Sequence, residues 1–231
     1  GLIETDRGCP YRCTFCGWGG LVAQKIAPFP LERALGDITW FGEHKVEFVF
    51  CANANFGILE RDQVITDHVL AVHEQYGYPH VFSVQNAKNV TDAVYNIQKK
   101  LNGARMSKVL VLAKQSDDPA TLTAVKRSNI KQDHYQRLQT RARQDGIATA
   151  TELILPLAGE TLQSYMRGVV QVVEDGGTLQ VNPLSIEPDA EMADPAYQQK
   201  YGIRTVKTRA LTIHGAVEGE GVKRLDVLDV P

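Results

Sequence analysis

Short apolar runs alternate along the chain with longer stretches whose apolar residues recur every three or four positions. The short runs cover residues 2–6, 46–50, 80–84, 108–112, 148–155 and 180–183. Each is bounded by Gly, Pro, Asn or Asp, which predicts strands. The amphipathic stretches predict helices over residues 31–44, 60–75, 90–101, 119–127, 132–144 and 161–174. Their ends carry the matching chemistry. Gly77 follows the second helix, Asp117-Asp118 with Pro119 opens the fourth, and Gly176-Gly177 closes the last.

Strand–helix alternation with short linkers predicts a parallel sheet with right-handed crossovers. A closed eight-unit barrel takes ~250 residues. Six units in 231 residues predict an α/β fold, an incomplete (β/α)6 TIM-like barrel open on one side. A doubly wound open sheet is the competing architecture. The expected organisation is a partial barrel over residues 1–192 and the start of a C-terminal extension over 193–231. Within that extension a helix starts at Asp194-Pro195, and residues 210–214 and 224–230 read as strands. The chain opens on the strand-like Gly1-Leu2-Ile3-Glu4-Thr5, which reads as the cut edge of something larger.

Composition adds exclusions. With 43% apolar residues the chain can build a core, and a net charge of −2 points away from nucleic acid and anionic membrane surfaces. No apolar run approaches the ~20 residues that span a bilayer. Three of the four cysteines lie within residues 9–16. A disulfide scaffold would spread its cysteines along a smaller chain, so the clustering argues for a metal site in a reducing, cytoplasmic compartment.

Cys9, Cys13 and Cys16 stand at Cys-x3-Cys-x2-Cys on one short loop after the first strand. A [4Fe–4S] cluster is usually held by four thiolates. Three local ligands leave one iron open to a substrate or cosubstrate, the logic that separates catalytic from structural metal sites. A zinc ion with a remote fourth ligand, or plain buried cysteines, are the alternatives. Zinc sites more often pair two Cys-x2-Cys units, and only one is present here.

This loop, followed by repeated strand–helix units, resembles the radical S-adenosylmethionine (SAM) superfamily. The longer run Glu4-Thr5-x-Arg7-Gly8-Cys9-Pro10-Tyr11-x-Cys13-x-Phe15-Cys16 resembles its cobalamin-binding branch, and the likeness extends from Leu2 to about Met192. The resemblance implies a cluster on the three cysteines, SAM at the open iron, and cobalamin as methyl carrier. Cobalamin would be bound mainly by an N-terminal domain outside this chain: His44, His68, His73, His80, His134 and His214 all lack the Asp-x-His-x2-Gly context. The implied activity is methyl transfer from SAM to a carbon of a small molecule or peptide. A cobalamin-independent enzyme using a 5′-deoxyadenosyl radical, or a non-catalytic metal-binding module, are the rivals. The reading admits a reductant as a partner.

Parallel α/β folds place their sites at the carboxyl ends of strands. The polar residues there are Asn53 and Asn55, Ser83 and Gln85, Gln115 and Ser116, Glu152 and Asn182. The resemblance implies that these meet SAM and that Phe15 packs on its adenine. The bland alternatives are turn capping by the asparagines and by Ser116. Arg127 either forks onto the methionine carboxylate or favours the end of a helix dipole. Cys51 reads as a small buried apolar residue, and Trp40 as core. Relatives usually carry a carboxylate where Asn53 and Asn55 stand, and the turn Pro156-Leu157-Ala158-Gly159 also departs from their pattern. These departures raise the expectation of polar methyl transfer to a nucleophilic carbon, as in the tryptophan-methylating members of peptide-antibiotic pathways.

Overall fold

A computed structural model describes residues 1–18, 25–208 and 228–230. Strand β1 (Leu2–Ile3) is followed by β2 (Asp6–Arg7), which pairs antiparallel with β3 (Ala27–Pro28). Helix α1 (Leu31–Glu43) leads into β4 (Phe48–Phe56), α2 (Arg61–Tyr76) into β5 (Val81–Asn86), and α3 (Asp92–Gly103) into β6 (Val109–Gln115). The short α4 (Pro119–Ala124) and α5 (Gln132–Gln144) precede β7 (Ala148–Leu155), and α6 (Leu162–Glu174) precedes β8 (Thr178–Pro183). A 3-10 turn at Glu191–Ala193 leads into α7 (Pro195–Tyr201), and β9 (Val206–Thr208) pairs antiparallel with β10 (Leu228–Val230).

The strands form two parallel three-stranded sheets, β1-β4-β5 and β6-β7-β8, in chain order. This is the partial-barrel arrangement expected from the alternation. Helix α3 joins the halves: Ile97 and Leu101 pack with Val49, Phe56 and Phe82 under the first sheet, while Val94 and Tyr95 pack with Leu110 and Leu112 under the second. Helix ends follow their capping residues. The Thr91, Asp118, Thr161 and Asp194 side chains each accept from a backbone N–H of the first turn, and Gly77 ends α2 with φ +75°.

Several elements differ from expectation for physical reasons. The second strand does not stop at Phe50 but runs on to Phe56, because Asn53 and Asn55 find side-chain partners within the fold. The first strand breaks at Glu4-Thr5, where the Thr5 N–H turns to the Asn53 carboxamide oxygen at 2.8 Å. Helix α4 ends at Ala124 rather than Arg127, since Lys126 adopts a left-handed φ of 53° and turns the chain back. Trp40 is not core: it is half exposed and stacks on His44 at 4.0 Å between ring centres. The strand expected at 210–214 lies outside the described residues. On both sides of Met192 the chain shares one core, with Met192 and Tyr197 packed against Val125, Leu157 and Leu184. No helix among the described residues is long and apolar enough to cross a membrane.

Candidate functional site

The loop that follows β2 carries the three thiols, and its middle residue is pinned from two directions. Thr14 donates its N–H to the Val125 carbonyl at 3.1 Å, and its own carbonyl accepts from Met192 N–H at 2.8 Å. The Tyr197 phenol donates to the Ala124 carbonyl at 3.0 Å. Its single proton is thereby spent, so at 2.9 Å it accepts from the Thr14 hydroxyl. Thr14 is 1% exposed. All its polar groups are bound, which holds the turn between Cys13 and Cys16 in one place.

Above this turn lies a cavity of about 500 Å³ at the carboxyl ends of β4 to β7. Cys9, Cys13 and Cys16 line it together with Phe15. From the strands come Asn53 and Asn55 (β4), Gln85 (β5), Gln115 (β6) and Glu152 (β7). Ser83, Ser116 and Asn182 are not among its lining residues. Ser83 sits on β5 level with Phe50, two residues below Gln85. Ser116 donates to Glu160 at 2.5 Å and accepts from the Asp118 N–H at 3.2 Å, so its hydroxyl organises the turn before α4. The Asn182 carboxamide oxygen accepts from Gln180 at 3.3 Å on β8.

The two asparagines play different parts. Asn53 is buried, and its carboxamide is fully engaged with Thr5, Asp6 and the Cys51 thiol. Asn55, also buried, donates its amide to Cys9 Sγ at 3.1 Å. Cys51 pairs with Ile3 and Val84 across the sheet and is fully buried, which pushes its thiol up to about 12.

Gln115 combines two unusual features. It adopts φ +67°, a left-handed backbone that a non-glycine residue rarely takes, next to a register shift between β6 and β7. Its side-chain oxygen is buried and has no hydrogen-bond partner among the described residues. A buried acceptor left unpaired costs roughly 1–3 kcal/mol. A ligand donor in the cavity would remove that cost. Glu152 stands on the row Ala113–Glu152–Gln180, half buried, with Gln180 approaching at 3.5 Å. One wall is thus a small alanine and the other an amide.

Residues that the sequence reading underused also face the cavity. Tyr11 and Lys88 meet across the ring face at 3.8 Å. Burial pulls the Lys88 ammonium below its usual range and pushes the Tyr11 phenol above its own. Arg127 is turned inward by the left-handed Lys126. It donates to the Lys114 carbonyl at 3.3 Å, to Asn129 at 2.9 Å and to the Ala113 carbonyl, and its Nη1 approaches Cys13 Sγ at 3.8 Å. The carbonyls at the end of β6 therefore position Arg127, and the helix-dipole role expected for it is not what the contacts show. A basic residue just after a short helix was the only sequence signal. His68 and His73 on α2 bond Thr39 and the Pro79 carbonyl and are absent from the cavity wall.

The residues fit a polynuclear cluster. A single zinc ion needs its sulfurs about 2.3 Å from one point. Among the described residues no three His, Cys, Asp or Glu side chains converge to hold one ion. The three thiols instead face one cavity, where they would hold an iron–sulfur cluster, with Asn55 and Arg127 as donors to the Cys9 and Cys13 sulfurs.

A three-thiol loop after the first strand of a parallel partial barrel, opening on a cavity at the strand ends, is the arrangement that the resemblance to the radical SAM superfamily implied. The chain's relatives are more particular. The chain is 40% identical over 210 residues to the cobalamin-dependent radical SAM methyltransferase TokK of Streptomyces tokunonensis, covering 90% of this chain and 31% of that protein. It is 39% identical over 210 residues to the 2-(S-pantetheinyl)-carbapenam-3-carboxylate methyltransferase of Streptantibioticus cattleyicolor, with the same coverage of 90% and 31%. The chain thus spans about a third of the length of the curated relatives it matches. Among solved structures, the radical SAM methyltransferase TsrM of Kitasatospora setae, with cobalamin and a [4Fe–4S] cluster bound, superposes with a TM-score of 0.66. That match is at 16% identity and covers 89% of this chain and 38% of TsrM. Methylornithine synthase matches with a TM-score of 0.56 at 13% identity, over 83% of this chain and 55% of its own. At these identities the structural likeness is one of fold. No protein-family model matches the chain.

Proposed function

We propose that this chain is the catalytic barrel of a cobalamin-dependent radical SAM methyltransferase, acting in a reducing cytoplasm on a small molecule of the carbapenam type. The observation that carries the reading is the convergence of Cys9, Cys13 and Cys16 on the cavity that Gln115 and Glu152 also line. Identity of 40% and 39% to the two methyltransferases across 90% of the chain supports it. The same comparison favours a carbapenam over tryptophan, because the likeness to TsrM is one of fold at 16% identity.

In this reading the three thiolates hold a [4Fe–4S] cluster whose open iron takes SAM, and cobalamin, held mainly by a domain outside this chain, carries the methyl group. The net change breaks the sulfonium S–CH3 bond of SAM and one substrate C–H bond and forms one C–CH3 bond, leaving S-adenosylhomocysteine; the hydrogen departs as a proton in polar transfer, or on 5′-deoxyadenosine from a second SAM reduced by one electron in radical transfer. The chain's own residues do the positioning. Phe15 offers an apolar face beside Cys16 for an adenine ring. Gln115 offers an unpaired acceptor to a ribose hydroxyl or the amino group of SAM. Glu152 offers a carboxylate to an ammonium. Residues 1–192 form the proposed barrel and the residues after them the proposed extension.

The test is anaerobic purification with iron and sulfide analysis, followed by turnover with 2-(S-pantetheinyl)-carbapenam-3-carboxylate and, separately, tryptophan. About four irons and four sulfides per chain are expected. Cys9→Ala, Cys13→Ala and Cys16→Ala abolish the iron–sulfur absorbance, whereas Cys51→Ala keeps it. Zinc in place of iron, or loss of the cluster in Cys51→Ala, sinks the assignment. Counting 5′-deoxyadenosine against methylated product separates radical transfer (one per methyl) from polar transfer (none).

A further inference from the structure

We propose that Asn55 and Arg127 set the reduction potential of the cluster by donating hydrogen bonds to two of its ligand sulfurs, Cys9 and Cys13. This rests on the function proposed above and adds a role for residues that neither spacing nor similarity assigns. The sequence reading placed Asn55 against SAM and Arg127 at the end of a helix dipole, with a methionine carboxylate as its alternative partner. The contacts place each beside a thiol, Asn55 Nδ2 at 3.1 Å from Cys9 Sγ and Arg127 Nη1 at 3.8 Å from Cys13 Sγ.

Both donors are held from behind, so neither has to be ordered when the cluster binds. The Asn55 carbonyl accepts from the Ile58 N–H at 3.2 Å, which fixes the turn that ends β4. Next to that turn, the Gly57 N–H is tied to Asp62 at 2.7 Å. Gly57 has φ +93°, and a Cβ there would stand 2.8 Å from Val94 Cγ2, so the turn is closed to other side chains. Arg127 is anchored by the carbonyls of Ala113 and Lys114 and by Asn129.

The direction of the effect follows from charge. Adding one electron to the cluster increases the negative charge spread over its thiolates. An N–H aimed at a thiolate stabilises the reduced form more than the oxidised one. Asn55 does this as a neutral dipole and Arg127 as a full cation. Together they ease delivery of the electron to the cluster by an external reductant.

The experiment is a spectroelectrochemical titration of the anaerobically reconstituted protein, wild type against Asn55→Ala and Asn55→Asp, each checked for iron and sulfide content. Asn55→Ala is expected to lower the one-electron reduction equilibrium constant about tenfold, a shift of ~59 mV to more negative potential. Asn55→Asp, which exchanges the donor for a negative charge, is expected to lower it further. An unchanged midpoint in a fully loaded Asn55→Ala protein overturns the inference. Should either variant lose its cluster, the wild type still decides the matter. With 15N-labelled asparagine, pulsed EPR of the reduced cluster reads a weak nitrogen coupling from the Asn55 amide, and its absence overturns the inference. A wild-type protein that binds no [4Fe–4S] cluster at all overturns the proposed function, and this inference with it.

Discussion

The Thr14 hydroxyl and the Tyr197 phenol meet at 2.9 Å, across 183 residues of chain, directly behind the cysteine loop. Tyr197 lies on α7, beyond the last barrel strand, yet it passes the bond on to Ala124 and so ties the loop to the turn after α4. Lys126 and Glu191 add an ion pair at 2.6 Å between the same two segments. That pair is half exposed and contributes little by itself.

Tyr197→Phe removes the acceptor of Thr14 and leaves the Ala124 carbonyl short of its donor. Two buried groups then lose partners, at about 1–3 kcal/mol each. The expected outcome is faster release of iron to a chelator, followed by the decay of iron–sulfur absorbance. Thr14→Val in the Tyr197→Phe background should add less than it does alone, since the two residues share one bond. Full additivity of the two substitutions would show that they act separately.

Gln115 makes opposite demands on stability and binding. Its unpaired oxygen burdens the cosubstrate-free protein, and its left-handed backbone adds strain. Gln115→Ala should therefore leave the melting temperature of the cosubstrate-free protein unchanged or raised. It should weaken SAM binding roughly tenfold, the worth of about one hydrogen bond. Calorimetry of both properties checks this. A lower melting temperature with unaltered affinity would make Gln115 a packing residue.

Asp6 predicts a pH dependence. It is 2% exposed, and burial first, then the nearby Asp62, raise its carboxyl to about 7, against the opposing pull of Arg61 and the Asn53 bond. A raised carboxyl means that the folded protein holds a proton the unfolded chain has released. Stability associated with this group is complete below about pH 4 and is lost as pH rises toward 7. Asp6→Asn keeps an acceptor for Asn53 and carries no charge. Its stability relative to wild type should rise across that window, by up to about 4 kcal/mol. Denaturant midpoints at pH 4, 6 and 8 measure it, and parallel curves would refute the buried-proton account.

The chain's own pattern was enough for the alternation of strands and helices, the parallel partial barrel and the grouping of three cysteines on one loop. These depend on period, caps and short-range spacing, all local properties. Cys9, Cys13 and Cys16 are adjacent in sequence, so their meeting on one cavity needed no fold to foresee. Asn53 and Asn55 show where local reading ends. Both are small polar residues two positions apart at the carboxyl end of one strand. Only the packed structure turns the first inward to Thr5 and Asp6 and aims the second at Cys9. Arg127 reaches Cys13 over 114 residues, and Tyr197 reaches Thr14 over 183. The same amide or guanidinium serves equally well as a turn cap, a dipole partner or a sulfur donor. Which role it takes depends on the atoms that surround it when distant segments close together, and no periodicity along the chain encodes that.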